Sequence, residues 1–270
     1  MGIDFIPVPL LFALTIILVL VAIEVGYQIG CRAHTHWTEE MEAPATAITG
    51  SVLALVAFML AFTFGIVSDR YDARKELVRA EASAIKTLWL RCDLLLEGTR
   101  AEPRSLILEY LSERLEFVHR RDYAPARIKE VTLASQEIQD RLWDIGVENA
   151  RAGLNSDYTS LYVNALNEVI TLRARRLSIG LQARIPIVIW LILYSIMLLG
   201  MTGLGYQTSI SGSKRSTARP ILALSFAMVV ALIAMLDRPD SNLTAVSQLP
   251  QFELLEWITA RDVHGVTREL

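Results

Sequence analysis

Residues 45–67 read ATAITGSVLALVAFMLAFTFGIV, and residues 68–96 continue SDRYDARKELVRAEASAIKTLWLRCDLLL. The first stretch carries no charge. A helix crosses about 30 Å of hydrocarbon with roughly 17–25 apolar residues, so it is long enough to span a bilayer. In the second stretch the pattern changes. Charges of both signs appear, and Tyr71, Val78, Ala82, Ile85, Leu88 and Trp89 recur at three- and four-residue spacing, which marks one face of an amphipathic helix. No breaker separates Val67 from Leu96. One helix is therefore expected to leave the membrane and continue into a polar domain, until Glu97-Gly98-Thr99 and Pro103 stop it.

Three further windows, 9–30, 185–206 and 220–236, are almost free of charge. They account for a composition that is 53% hydrophobic and only 20% charged over 270 residues, and for a mean hydropathy of +0.38. Secreted, cytosolic-globular and disordered chains are excluded. The first window is too long for a signal-peptide core and lacks a basic start and a small-residue cleavage site, so it is read as a membrane helix. The expected fold is all-α, a polytopic membrane protein with four transmembrane helices. Residues 1–67 hold the first two spans, and 185–238 hold the last two. Residues 68–184 form a cytoplasmic helical bundle inserted between spans two and three and continuous with both. Residues 239–270 form a cytoplasmic C-terminal segment.

The inserted segment 68–184 holds 19 of the 26 Lys and Arg residues and 18 of the 29 Asp and Glu residues. Its apolar residues predict further helices over 104–121 (Leu108, Leu111, Leu115, Val118), over 125–151 (Ile128, Val131, Ile138, Leu142, Ile145), and from Asp157 to Leu177 (Leu161, Leu166, Val169, Leu172). Pro125 suits a first helical turn, and Asn155 or Ser156 suits a cap. Orientation follows the basic residues near span ends. Arg70, Arg74, Lys75 and Arg79 follow span two, and Arg173, Arg175, Arg176 and Arg184 precede span three. Across the membrane stand only Arg32, Lys214, Arg215 and Arg219. That bias places the bundle and both termini in the cytoplasm.

Signals for chemistry are few. There is no His-Glu-x-x-His, no Gly-rich phosphate loop and no Gly-x-Ser-x-Gly, so no enzyme activity and no cofactor are expected. His34 and His36, with Glu39 or Glu40, form too small a set for a metal site. Cys31 and Cys92 lie on opposite sides of span two and cannot pair within one chain. Cys92, on an amphipathic helix, reads as a small core residue. A net charge of −3 gives no basic excess for nucleic acid.

Span two carries more information. One stripe runs Ser51, Leu55, Phe58, Phe62, Gly65, with steps of 4, 3, 4 and 3. A second runs Ala47, Gly50, Ala54, Ala57, Ala61 and is entirely small. The two faces sit about 100° apart on a helix. Small faces let helices approach closely in lipid. A bulky apolar face turned toward a symmetry axis builds rings that stop ions by dewetting. Phe58 and Phe62 have a plainer reading, packing on spans three and four or facing lipid. Glu24 is the one acid clearly inside a span. It stands either as a functional intramembrane acid or as a side chain snorkelling to the outer interface beside Tyr27 and Gln28. Asp237 and Arg238, at the end of span four, mark the interface or pair with the basic cluster before span three. Gly200, Gly203 and Gly205 suggest close helix contact or a kink.

The stretch from Phe62 to Lys75, FTFGIVSDRYDARK, resembles the central signature of a bacterial bestrophin-like family of unknown function. Glu81-Ala82-Ser83-Ala84-Ile85, Leu90-Arg91-Cys92-Asp93-Leu94-Leu95, Asn167-Glu168, Arg175-Arg176-Leu177, Arg184-Ile185-Pro186, Leu236-Asp237-Arg238-Pro239 and Ser247-Gln248 are similar to its later blocks. The resemblance covers most of the chain from Ala45 to about Leu255. It implies a four-span helical homo-oligomer, a pentamer in the bestrophin relative, in a bacterial inner membrane. Membrane lipid and small inorganic ions would be its partners. It also implies a central pore lined by span two, with Leu55, Phe58 and Phe62 at the positions of its apolar rings. The acidic calcium clasp of animal bestrophins has no counterpart here, since no acidic run follows span four: Asp237 and Asp240 stand there without neighbouring acids, and the next is Glu253. The expected function is an oligomeric ion channel. The alternative is a non-conducting membrane-anchored signalling or scaffold protein that binds a partner through its helical domain.

Overall fold

A computed structural model describes residues 6–33, 42–120, 124–152, 156–182, 184–211, 218–238 and 244–266. Among these residues there is no strand. The helices are α1 (Val8–Ala33), α2 (Glu42–Arg91), α3 (Ala101–Arg120), α4 (Pro125–Arg151), α5 (Ser156–Leu177), α6 (Ile187–Ile210), α7 (Arg219–Asp237) and α8 (Leu249–Val266). Two 3₁₀ turns separate α2 from α3, and a π turn over Ser178–Gln182 follows α5. Four of the helices are long and apolar enough to cross a membrane: α1, α2, α6 and α7.

The chain divides into two units, residues 1–71 with 184–244, and residues 72–183 with 245–270. Helix α2 runs unbroken for 50 residues and contributes to both, as its sequence predicts.

In the first unit α1 packs on α6 and α7. The α1–α6 approach is set by glycine. A Cβ on Gly26 would lie 1.9 Å from the carbonyl oxygen of Thr202, and one on Gly205 would lie 2.0 Å from that of Ile23. Only the absence of a side chain lets the two backbones meet, as small residues do between membrane helices. Gly200 and Gly203 serve α2 instead, facing Val52, Leu53 and Thr49. The face that α2 buries here is Thr49, Val56, Leu60, Thr63 and Val67. Thr15, fully buried, returns its hydroxyl to the Leu11 carbonyl at 2.7 Å and shares a second hydrogen bond with Tyr194.

The second unit is a helical bundle built from the continuation of α2 with α3, α4, α5 and α8. Leu88, Trp89, Ile107, Leu111, Tyr162, Leu166 and Ile258 fill its core. Each fully buried aliphatic side chain contributes about 1.5–3 kcal/mol. The turn after α2 is tied down by Asn149 of α4, whose Oδ1 accepts the backbone N–H of Leu96 at 3.0 Å and the hydroxyl of Thr99 at 3.2 Å. Two boundaries differ from the sequence expectation. Helix α3 starts at Ala101, which puts Pro103 inside its first turn, where a missing N–H costs nothing. The C-terminal segment contains α8, which packs on α3 and belongs to this bundle.

Candidate functional site

On α2 each residue is rotated about 100° from the last, so a face the single chain does not bury is visible as a stripe. Both stripes read from the sequence are such faces. Leu55 is 47% exposed, Phe58 65% and Phe62 58%. The Phe58 and Phe62 rings stack one turn apart, with centroids 6.4 Å apart and planes 16° from parallel. More than half of each ring is left uncovered by the rest of the chain. Ala47, Gly50, Ala54, Ala57 and Ala61 are exposed as well, and a Cβ added at Gly50 would meet nothing within 4 Å. Side by side on one helix thus lie a bulky apolar surface and a small one, both without intrachain cover.

Glu24 has a cation beside it. Its Oε2 lies 3.3 Å from Nη1 of Arg219, and Gln28 donates to its Oε1 at 3.2 Å. The Arg219 guanidinium also sits 4.9 Å from the centre of the Tyr27 ring. The acid is therefore a member of a polar cluster joining α1 to the start of α7, and a charge with a partner is far cheaper in an apolar setting.

Asp237 also has partners, and they include residues that the sequence did not point to. Its carboxylate meets Arg70, which follows span two, at 3.5 Å, and accepts the backbone N–H of Ile185 at 3.2 Å on both oxygens. Two of the basic residues before span three serve the second unit. Arg176 ion-pairs with Glu81 and donates to Gln248 at 2.6 Å, and Arg173 donates to Gln139 at 2.8 Å.

Glu81 is a centre whose role the sequence did not reveal, though it opens one of the family-like blocks. It is fully buried in the bundle. It accepts the Tyr110 hydroxyl at 2.8 Å, Arg114 at 3.2 Å and the Gln251 amide at 3.0 Å, besides Arg176. Burial alone would raise this carboxyl, but Arg114 and Arg176 outweigh it and hold it down at about 2. Its charge also pushes Tyr110 further above the ordinary phenol range than burial does alone. The reciprocal signal lay in Gln248 and Gln251, two amides one helical turn apart in the C-terminal segment.

Cys92 is buried, and that burial pushes its thiol up to about 12 despite Arg104, so it is protonated at neutral pH. Cys31 and Cys92 are both free thiols. His34, His36, Glu39 and Glu40 lie outside the described residues. Among the described residues no group of three His, Cys, Asp or Glu side chains converges to hold a metal ion.

A family model described as a Bestrophin-like domain matches residues 13–250. The chain belongs to the bestrophin-like family. No curated protein sequence matches it. Solved structures do. A crystal structure of a variant of a bacterial bestrophin homolog from Klebsiella pneumoniae superposes with a TM-score of 0.64 at 18% identity, covering 93% of this chain and 97% of that one. A second variant of that homolog gives 0.63 at 18% identity, over 92% and 96% of the two chains. A crystal structure described as a membrane protein gives 0.62 at 18% identity, over 93% and 96%. At that identity the likeness concerns the fold. The all-helical bestrophin-like architecture extends over nearly the whole chain.

Proposed function

We propose that this bestrophin-like chain is one subunit of a homo-oligomeric ion channel in a bacterial inner membrane, with small inorganic ions as its cargo and α2 lining the axis. The observation that carries this reading is the pair of uncovered faces on α2. In a closed ring, the small face Ala47, Gly50, Ala54, Ala57 and Ala61 packs against a neighbouring span, where close approach is favourable. The face beside it, Leu55, Phe58 and Phe62, then repeats around the axis as successive apolar hoops. A hoop narrower than about a nanometre loses its water, which blocks ions without a physical plug. Five copies is the number that the family resemblance suggests. The excess of Lys and Arg after span two and before span three supports a cytoplasmic bundle inserted between those spans, with both termini on the same side.

Single-channel recording of the purified oligomer in planar bilayers, with Phe58→Ala/Phe62→Ala beside the native protein, tests the reading. Removing both rings widens and wets the axis, so the unitary current rises. An unchanged unitary current from folded, oligomeric variant removes Phe58 and Phe62 from the conduction path. No current from any form favours the non-conducting scaffold.

A further inference from the structure

The chain leaves the first unit at two places and re-enters it at one, and each of the three is tied to the last turn of α7. Arg70, one residue before the boundary at Tyr71, meets Asp237 at 3.5 Å. The backbone N–H of Ile185, one residue after the boundary at Arg184, donates to Asp237 at 3.2 Å. Thr244, the boundary residue itself, donates its hydroxyl to the Met235 carbonyl at 2.8 Å.

Asp237 is the key member of this set. It is 3% exposed, and Ile185 is 1% exposed. Helix α6 begins only at Ile187, with Pro186 before it, so the Ile185 N–H precedes the helix and has no helical carbonyl to bond. A buried N–H left unpaired is costly, and a carboxylate is the strongest neutral-pH acceptor for it. The same carboxylate faces Arg70, eight residues beyond Phe62 on the helix that carries both phenylalanines. One side chain therefore joins the middle of α2, where its apolar half gives way to the polar one, to the residue that enters α6.

We propose that Asp237 is a positioning residue for the candidate pore helix: through Arg70 and the Ile185 N–H it fixes α2 at the end of its apolar half, and hence where Phe58 and Phe62 stand. The effect on conduction rests on the channel reading above, whereas the mechanical effect does not. Asp237→Asn keeps an oxygen for the Ile185 N–H but removes the charge facing Arg70. Arg70→Gln breaks the same pair from the other side and leaves the Ile185 bond intact, so it carries the test if the Asp237 variant fails to fold.

Hydrogen exchange of the oligomeric protein reads the first effect. Both variants should speed amide exchange over 64–72 severalfold while α4 and α5 keep their protection. The double variant should fall short of the sum of the two single effects, because both changes remove the same ion pair. Arg70→Lys should restore part of the protection. The open probability in bilayers should shift in the same direction for both single variants. Unchanged exchange over 64–72, or effects that simply add, would overturn the assignment. Faster exchange with no current from any form, the native one included, upholds Asp237 as the anchor and refutes the pore.

Discussion

Replacing Glu81 with Gln is the most demanding check on the bundle. The substitution preserves size and removes one charge. It strands Arg114 and Arg176, whose side chains are 9% and 15% exposed, beside an amide that no longer balances them. Removing one partner of a buried ion pair costs about 3–5 kcal/mol. A second route leads to a similar magnitude. The native carboxyl is held at about 2 against an ordinary value of 4.5. A depression of that size corresponds to about 3 kcal/mol of stability at neutral pH. The sign follows from the direction. Because the folded value lies below the unfolded one, the contribution is complete above about pH 4.5 and is lost as pH falls toward about 2. Urea unfolding of the detergent-purified protein, followed by near-ultraviolet circular dichroism, provides the assay, since Trp89 and Trp257 meet edge-on in this core at 5.4 Å. At pH 7 the Gln variant should lose about 3 kcal/mol, and between pH 4.5 and pH 3 the gap to the native protein should narrow. A variant within about 1 kcal/mol of native at pH 7, or a gap that widens in acid, would refute the balance of charge described for Glu81.

Two other outcomes follow from the geometry. Gly205→Val should cost at least about 3 kcal/mol and yield aggregated or unfolded protein by size-exclusion chromatography, because even the first added carbon would overlap the Ile23 carbonyl; Gly98→Ala, with nothing within 4 Å, is the silent control. With Cys31 changed to Ser, a membrane-impermeant thiol reagent on intact spheroplasts should label Ser211→Cys and spare Ser112→Cys until the membrane is opened, both sites being exposed; the reverse pattern would invert the topology.

The four spans and the long α2 were legible because each rests on local pattern: an uncharged run of sufficient length, then a change to amphipathic spacing without a breaker. The uncovered stripes of α2 were legible for the same reason, since one helix fixes which residues share a face. What stayed hidden depends on distant pairing. The family-like block that begins at Glu81 marks the position but not its role, which exists only because Tyr110, Arg114, Arg176 and Gln251 converge on it from α3, α5 and α8. Asp237 is legible from its position at a span end, but its link to Arg70 on α2 depends on chain 167 residues away and is not. Helix α8 was missed because Leu254, Trp257 and Ile258 form a short apolar face, and the bundle that covers it is encoded mostly before span three.

The position of α8 has a consequence for synthesis. Both units are assembled from separated pieces of chain, and the bundle draws residues 245–270 from beyond the last span. As the ribosome proceeds, the second half of α2 emerges with Glu81 and Trp89 long before Gln251, Trp257 and Ile258 exist to cover them. A nascent bundle therefore waits, with a partly satisfied buried acid and an open apolar groove, through translation of two membrane helices. Such exposed surface is what chaperones and proteases engage. A product stalled after span four would carry every membrane helix and still be marked as unfinished.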